Sequence, residues 1–578
     1  MRALFLRGSI VATLALVLGV GCGTSSGDTE GGGGTTTTTT APTGGGGSGG
    51  ADTTSTSTSD TTETTTSTPT GPSACEILAL PARPWSEGPY GQHRNETADT
   101  FTLEMVDGTT WTFAEQWSGC ESYVFIPDTI RVSDLNDASI WEKDLSTLLK
   151  TSPKNTHYFF VSRASSDENA TASTTAMKTR VDDVLAALPP ADAEHWKTRV
   201  HVAAKRAASL DNWLTGVLST IGRGGFAIDR FQHIRGIGNL ADVKRYKQAL
   251  ADAMAWPWEQ NLAYAANEVR YFNFEVDRQT ALDAVEATVI PFWDGEILAE
   301  FAEKEIDLPS EADMAAFDTL EIDVTSNCPD PEKIEFGNCG AWDYLAYLFV
   351  KDDLGNNVEL GRFITSYHRE TRWVVDASPM LALLKKGGKR TFRWEFAPPW
   401  NTQPTATKLS LRLSNKAKGY APSEATFLFS GGGFNPTYND TKLPIDVPIP
   451  ADAKHVELVA IITGHGAGTS QCAEFCNHQH EFRVNGAEHV KAHPEAGTQA
   501  KCVDHIEQGM VPNQGGTWWF GRGGWCPGQQ VDPWIVDVTA EVTPGETATI
   551  EYEGLFKNTT PPDGAGDIAL TSYLVVYK

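Results

Sequence analysis

The chain has 578 residues, 40% of them apolar, with 46 basic against 74 acidic side chains and a formal charge of −28. After the two N-terminal segments described below, about 500 residues remain, enough for roughly three domains. A field of that sign repels nucleic acid and anionic lipid surfaces, which excludes both as charge-recruited partners and is common among exported soluble domains.

The N-terminus reads Met1-Arg2 and Arg7, then an almost unbroken apolar run from Val11 to Val20, ending in Gly21-Cys22. That pattern predicts an export signal that is removed, because the run is too short to span a bilayer stably. A cysteine directly after it predicts lipoprotein-type cleavage with lipidation of Cys22, although Leu18 sits one place further from Cys22 than the usual box has it. The alternative is a simply secreted protein. Positions 23–74 are Gly, Ser, Thr and Asp with scarcely an apolar side chain, so they cannot bury enough surface to offset the entropy of ordering and are expected to form a disordered linker. About 50 flexible residues reach roughly 40 Å r.m.s., enough to hold a folded body clear of a membrane, at whichever face of the cell envelope it is anchored.

From 75 to 285 the pattern is α/β. Phe101 to Val106, Ser122 to Ile126 and His157 to Val161 are β-rich runs, and Met177, Val181, Val184, Leu185 and Leu188 fall on one face of a helix. Further helices are expected over 192–220 and 241–268. This order, with Phe226-Ala-Ile-Asp-Arg230 later, faintly resembles a thioredoxin-like domain, but no Cys-x-x-Cys follows the Ser122 strand. A thiol redox role therefore has no chemistry to run on, and a structural or positioning role is expected.

After 286 the chain turns all-β. Leu320, Ile322 and Val324 alternate, as do Leu409, Leu411 and Leu413, and Ile568 to Tyr577 reads as a last strand. Short strands with turn residues between them fit antiparallel sandwiches or jelly rolls, and a break near 425–440 divides them into domains 286–430 and 431–578.

Nine cysteines stand at 22, 75, 120, 328, 339, 472, 476, 502 and 526. Setting Cys22 aside leaves an even number in an oxidising compartment, which favours disulfides over metal thiolates. Spacing sorts them as Cys328 with Cys339, Cys472 with Cys476, Cys502 with Cys526, and Cys75 with Cys120. One stretch, Gln471-Cys-Ala-Glu-Phe-Cys-Asn-His-Gln-His480, follows a Gly464-His-Gly466 turn and concentrates chemistry. Locally it reads equally as a zinc-like ligand set or as a stapled loop that presents a carboxylate.

Three motifs carry a resemblance: Asn338-Cys-Gly-Ala-Trp-Asp-Tyr344 with Gly361-Arg-Phe-Ile-Thr365, then Cys472-Ala-Glu-Phe-Cys476 after its Gly-His turn, then Gly521-Arg-Gly-Gly-Trp-Cys-Pro-Gly528. Together, across about 290–578, they are similar to the peptide-N-glycosidase F family, the amidases that remove asparagine-linked glycans. The resemblance implies two eight-stranded antiparallel jelly rolls side by side with the active site in their cleft, and disulfides at the three C-terminal cysteine pairs. It implies Asp343 as the principal catalytic acid, Glu474 as the second and Glu395 as the third. It further places Arg522 and Trp525 in the cleft, with Phe475, Tyr344 and Trp342 beside them as substrate-binding residues. N-glycosylated peptides or proteins would be the partners, a monomer the working form, and no cofactor is called for. The chain departs from the family at Tyr344, where an arginine is usual, and at Phe475 and Ala397, where tryptophans are; these bear on glycan preference.

The chemistry is coherent. Hydrolysing the amide between asparagine and N-acetylglucosamine needs a base for water, donors for the oxyanion and help for the leaving amine. An ionised Asp343 serves as base. Glu474 and Glu395 nearby would raise each other's proton affinity, leaving one protonated as donor, and Arg522 steadies charge. Trp525, Phe475 and Trp400 offer flat faces for sugar rings. Two other readings stand beside this one. In the first, His478 and His480, with or without Cys472 and Cys476, ligate zinc, or copper as in monooxygenases of double jelly-roll architecture, though the second histidine cluster those enzymes need has only His368 here. In the second, the cleft belongs to a non-catalytic module that binds surface glycan or protein.

Overall fold

The computed structural model describes residues 73–128, 139–240, 261–466 and 468–578. The export signal, Cys22, the linker up to Pro72 and positions 241–260 of an expected helix lie outside these. Residues Ser73–Lys578 form one compact unit.

A hairpin of β1 (Thr102–Glu104) and β2 (Thr110–Thr112) precedes a five-stranded sheet. That sheet is built from β3 (Ser122–Pro127), β4 (Thr156–Val161), β5 (Val200–Val202), β6 (Phe226–Ile228) and β7 (Ile234–Gly236), in the order β5-β4-β3-β6-β7. β3, β4 and β5 run parallel, and β6 pairs antiparallel with both β3 and β7. Both β3 and β4 are buried along their whole length, as strands covered on two faces must be. The helix Asp167–Ala187 starts where Ser166 accepts from the Asn169 N–H, and it buries Met177 and Val181 as its apolar spacing requires. The single helix expected over 192–220 is instead broken. Pro190–Lys197 is helical, Val200-His-Val202 becomes the edge strand β5, and a new helix Trp213–Ser219 is started by the Asn212 side chain, which accepts from the Leu214 N–H. Apolar alternation at Val200 and Val202 and a fresh cap override the helical pattern across them. A helix does run through Ala265–Asp283.

The rest is two antiparallel sandwiches. The first holds β8 (Ala287–Leu298), β9 (Phe301–Ser310), β10 (Thr319–Asn327), β11 (Leu345–Lys351), β12 (Asn357–Ile364), β13 (Thr371–Asp376), β14 (Gly387–Glu395) and β15 (Thr405–Ser414). Its sheets read β13-β10-β15-β8 and β21-β12-β11-β14-β9, where β21 (Gln530–Val531) is borrowed from far down the chain. The second holds β16 (Pro422–Gly433), β17 (Ile445–Pro448), β18 (His455–His465), β19 (Gln479–Val484), β20 (Ala487–Ala492), β22 (Trp534–Asp537), β23 (Thr547–Leu555) and β24 (Asp567–Tyr577). They are ordered β16-β24-β18-β22 and β17-β23-β19-β20. Each sandwich thus has eight strands of its own, and β16 runs through position 430 while pairing wholly with the C-terminal strand β24.

Three contacts between these bodies position the site. β21 pairs with β12, setting Arg362 opposite Val531 and Phe363 opposite Gln530. The buried Arg362–Glu359 ion pair (2.9 Å) of the first sandwich also donates from Arg362 to Thr463 Oγ1 (3.0 Å) and the Ala569 carbonyl (2.7 Å) of the second. Finally, one apolar core takes in Leu148, Tyr158 and Phe272 of the α/β body together with Ile506, Trp518, Trp519 and Phe520 of the long loop before β21.

Candidate active site

Asp343 sits just before β11, after a loop closed by the Cys328–Cys339 disulfide. Thr365 at the end of β12 fixes its backbone from both sides. The Thr365 hydroxyl donates to the Trp342 carbonyl (2.7 Å) and accepts from the Tyr344 N–H (2.8 Å), while the Trp342 N–H donates to Gln403 Oε1 (2.8 Å).

Glu474 lies in the helical turn Cys472–Phe475, which the Cys472–Cys476 disulfide closes. Its Oε2 accepts the Gly466 N–H at 2.8 Å and its Oε1 the Arg522 Nε–H at 3.0 Å. Glycines allow this approach: a Cβ on Gly466 would stand 2.9 Å from Glu474 Oε2, and one on Gly464 only 1.9 Å from the Ala473 carbonyl oxygen.

Arg522 joins the two carboxylates, reaching Glu474 at 3.0 Å and Asp343 Oδ2 at 3.4 Å with a side chain 1% exposed. Its orientation is set before any ligand arrives, because it donates to the Phe520 carbonyl (2.8 Å), the Thr517 carbonyl (3.2 Å) and Thr517 Oγ1 (3.0 Å). The guanidinium lies 4.8 Å from the centre of the Trp525 ring and 5.5 Å from that of Phe475. The Tyr367 hydroxyl donates to Asp343.

One cation therefore serves two buried acids. Burial pushes Glu474 up to about 7, with Arg522 pulling it down and the Asp343 charge adding to the rise. Burial also raises Asp343, opposed by Arg522 and by the Tyr367 hydroxyl. With one guanidinium between two buried acids, both carboxyls are shifted toward the protonated form, and Glu474 changes protonation near neutral pH.

The other expected residues fall as follows. Glu395 ends β14, 39% exposed at its side chain, and is held by Arg393 at 2.9 Å. Trp525 and Phe475 are supports of the guanidinium rather than open sugar platforms. Trp525 is 7% exposed, stacks on His465 and donates its indole N–H to the Gly464 carbonyl (2.7 Å), and Phe475 packs on Phe520. The rings left open are Trp342 (46%) and Trp400 (69%). Tyr344 is half-buried, its hydroxyl accepting from Asn401 (2.7 Å), and Ala397 is buried. All four expected disulfides are formed, which removes Cys472 and Cys476 as metal ligands. His478 and His480 point away from this cluster's acids, into the second sandwich, where they hydrogen-bond to the Ala473 carbonyl, to each other and to Tyr552. Tyr367 and Thr365 were not singled out as site residues. Thr365 closes the Gly361-Arg-Phe-Ile-Thr365 motif, which was its signal, whereas Tyr367 lies two residues beyond the motif and carried none.

The fold and site together define a double β-sandwich protein that gathers two carboxylates on one buried arginine in the crease between its sandwiches. Residues 433–575 match the family model described as peptide-N-glycosidase F, C terminal. Peptide-N(4)-(N-acetyl-beta-D-glucosaminyl)asparagine amidase F of Elizabethkingia miricola is 23% identical over 303 residues, spanning 49% of this chain and 79% of that one. A crystal structure of peptide-N(4)-(N-acetyl-beta-D-glucosaminyl)asparagine amidase aligns at a TM-score of 0.40 and 19% identity, over 51% of this chain and 96% of the other. PNGase F of Flavobacterium meningosepticum, described as a glycosylasparaginase, aligns at 0.40 and 20%, over 50% and 96%. Over residues 433–575 the chain is thus similar to the C-terminal part of the peptide-N-glycosidase F family.

Proposed function

We propose that the chain hydrolyses the amide bond between asparagine and N-acetylglucosamine in N-glycosylated peptides or proteins, leaving aspartate and releasing the glycan as a glycosylamine. The observation that carries this is the pairing of Asp343 and Glu474, from different sandwiches, on Arg522. Asp343 takes a proton from water, which attacks the side-chain amide carbon. Arg522 and the Tyr367 hydroxyl steady the negative charge that builds. Glu474, protonated, gives its proton to the departing nitrogen as the C–N bond breaks, and Asp343 is left holding the water proton until the cluster resets. Trp342, next to Asp343 in the chain, and Trp400, next to the Asn401 that bonds the Tyr344 hydroxyl, are exposed and offer the sugar faces. Glu395 is a candidate sugar-binding group at the rim.

Incubation with an N-glycopeptide tests the reading. Glycan release with asparagine converted to aspartate is expected, falling at least about a hundredfold in Asp343→Asn. Binding of the glycopeptide without turnover would leave the non-catalytic module as the better account.

The same reading extends to the rest of the chain. Export, a lipid at Cys22 and a 23–74 tether would present the enzyme outside the cell as a monomer. Among the described residues no helix is long and apolar enough to cross a membrane. The mixed sheet, in which β6 alone runs against the other four strands, supports a thioredoxin-like descent for the α/β body, with a positioning role.

A further inference from the structure

Behind the Glu474 loop lies a second constellation that the hydrolytic reading does not use. β19 and β20 form a hairpin in which Gln479 is opposite Ala492, and the His493 N–H donates to the His478 carbonyl (3.1 Å) one step further on. Residues 478 and 480 share a face by the two-residue period of a strand, and 493, directly across from 478, joins them on it. Three imidazoles thus meet inside the second sandwich, at 1%, 0% and 5% exposure for His478, His480 and His493. Their ring centres are 5.0, 4.8 and 5.6 Å apart, and one nitrogen from each lies within 4.8 Å of the others.

We propose that His478, His480 and His493 bind one divalent transition-metal ion of the zinc class, which braces the loop carrying Glu474.

The nitrogens are assigned by their neighbours. His478 donates from Nε2 to the Ala473 carbonyl (2.8 Å), which leaves Nδ1 with its lone pair facing inward. His480 Nδ1 meets the Tyr552 hydroxyl (2.8 Å), itself 2.8 Å from the Tyr438 hydroxyl, which leaves Nε2 facing His478. Outer partners of this kind fix ring orientation at histidine metal sites. The two inward nitrogens are 3.0 Å apart, against roughly 3.3 Å for two imidazoles on a tetrahedral zinc with bonds near 2.0 Å. His493 Nε2 is buried and has no hydrogen-bond partner, the condition of a ligand atom awaiting its ion.

The surroundings fit. A Cβ on Gly523 would stand 2.6 Å from His478 Nε2, and one on Gly524 would stand 2.7 Å from His493 Cε1, so the glycine pair beside Arg522 makes room for the rings. A cavity of about 340 Å³, lined by Lys491, His493, Glu495, His505 and Trp525, gives a way in. Soft thiolates play no part, and three imidazoles suit zinc, copper, nickel or cobalt better than calcium or magnesium. An ion here would tie the Ala473–His478 turn to the hairpin, directly under Glu474.

The test uses the full chain equilibrated with Zn2+ and, separately, Co2+, then freed of unbound metal. One zinc per chain by elemental analysis, a cobalt spectrum of tetrahedral type, a melting temperature raised by zinc and returned by chelator, and at least a tenfold loss of affinity in His493→Ala are expected. If that variant does not fold, the cobalt spectrum and chelator-reversible melting of the unaltered chain decide. Metal bound below a tenth of an equivalent, or octahedral cobalt bands, would overturn the proposal, and so would undiminished zinc in a folded His493→Ala.

Discussion

Glu474 is the residue whose protonation the fold controls most visibly. Its folded value near 7 stands above the ordinary 4.5, so folding favours the protonated form. The stability it contributes is fully present below about pH 4.5 and is lost as pH rises through about 7. Glu474→Gln keeps the protonated shape. Denaturant melts should therefore show the variant gaining on the unaltered protein between pH 5 and pH 8, by roughly 3 kcal/mol for a shift of this size. A gap that stays level with pH would mean the carboxyl ionises as it does in water. In turnover, the limb near neutrality that reports the acid should vanish in the variant while the limb from Asp343 remains.

At the scale of elements, the turn Cys472–Phe475 does for Glu474 what Thr365 does for Asp343. The disulfide closes a loop of only five residues, for which chain entropy predicts about 2 kcal/mol, a modest share of stability. Its larger effect is on aim. Replacing both Cys472 and Cys476 by alanine should lower the melting temperature slightly and turnover more than tenfold; equal losses in both would assign the disulfide to stability alone. The turn, its acid and its cysteine pair were legible because chemistry and spacing coincide in ten residues. Asp343 and Arg522 were legible only through motifs read together, since a lone Trp-Asp or Gly-Arg-Gly has no meaning by itself. Tyr367 was not, because a tyrosine past a strand end looks the same whether its hydroxyl meets water or an acid. The burial of Trp525 was hidden for a related reason: pattern shows that it is near the arginine but not that the guanidinium already covers it. The helix expected over 192–220 failed where a cap at Asn212 restarts the chain, a local hydrogen bond that periodicity does not weigh.

For the whole molecule, Arg369 is the meeting point. It pairs with Glu268 of the α/β body and Glu335 of the loop before Asp343, each at 2.9 Å, and donates to the Pro512 carbonyl of the loop that leads to Arg522. Removing one partner of a buried pair costs about 3–5 kcal/mol. Arg369→Ala should lower stability by that order and turnover with it, measured by denaturant melts and glycopeptide assay; an active, fully stable variant would show that the α/β body is dispensable. Because Trp518, Trp519 and Phe520 share their core with that body, a chain beginning at 286 should also fail to organise Arg522.

The two-residue strand β21 carries a further meaning for the tempo of catalysis. A segment from between two strands of the second sandwich completes a sheet of the first, and Arg362 crosses the same seam, so the walls of the crease are stitched rather than hinged. A stitched crease has no opening stroke to make between one substrate and the next. Solvent friction should accordingly leave the turnover rate unaltered when a viscogen is added, and the enzyme should distinguish glycoproteins by how readily each extends its glycosylated loop toward a mouth of fixed width.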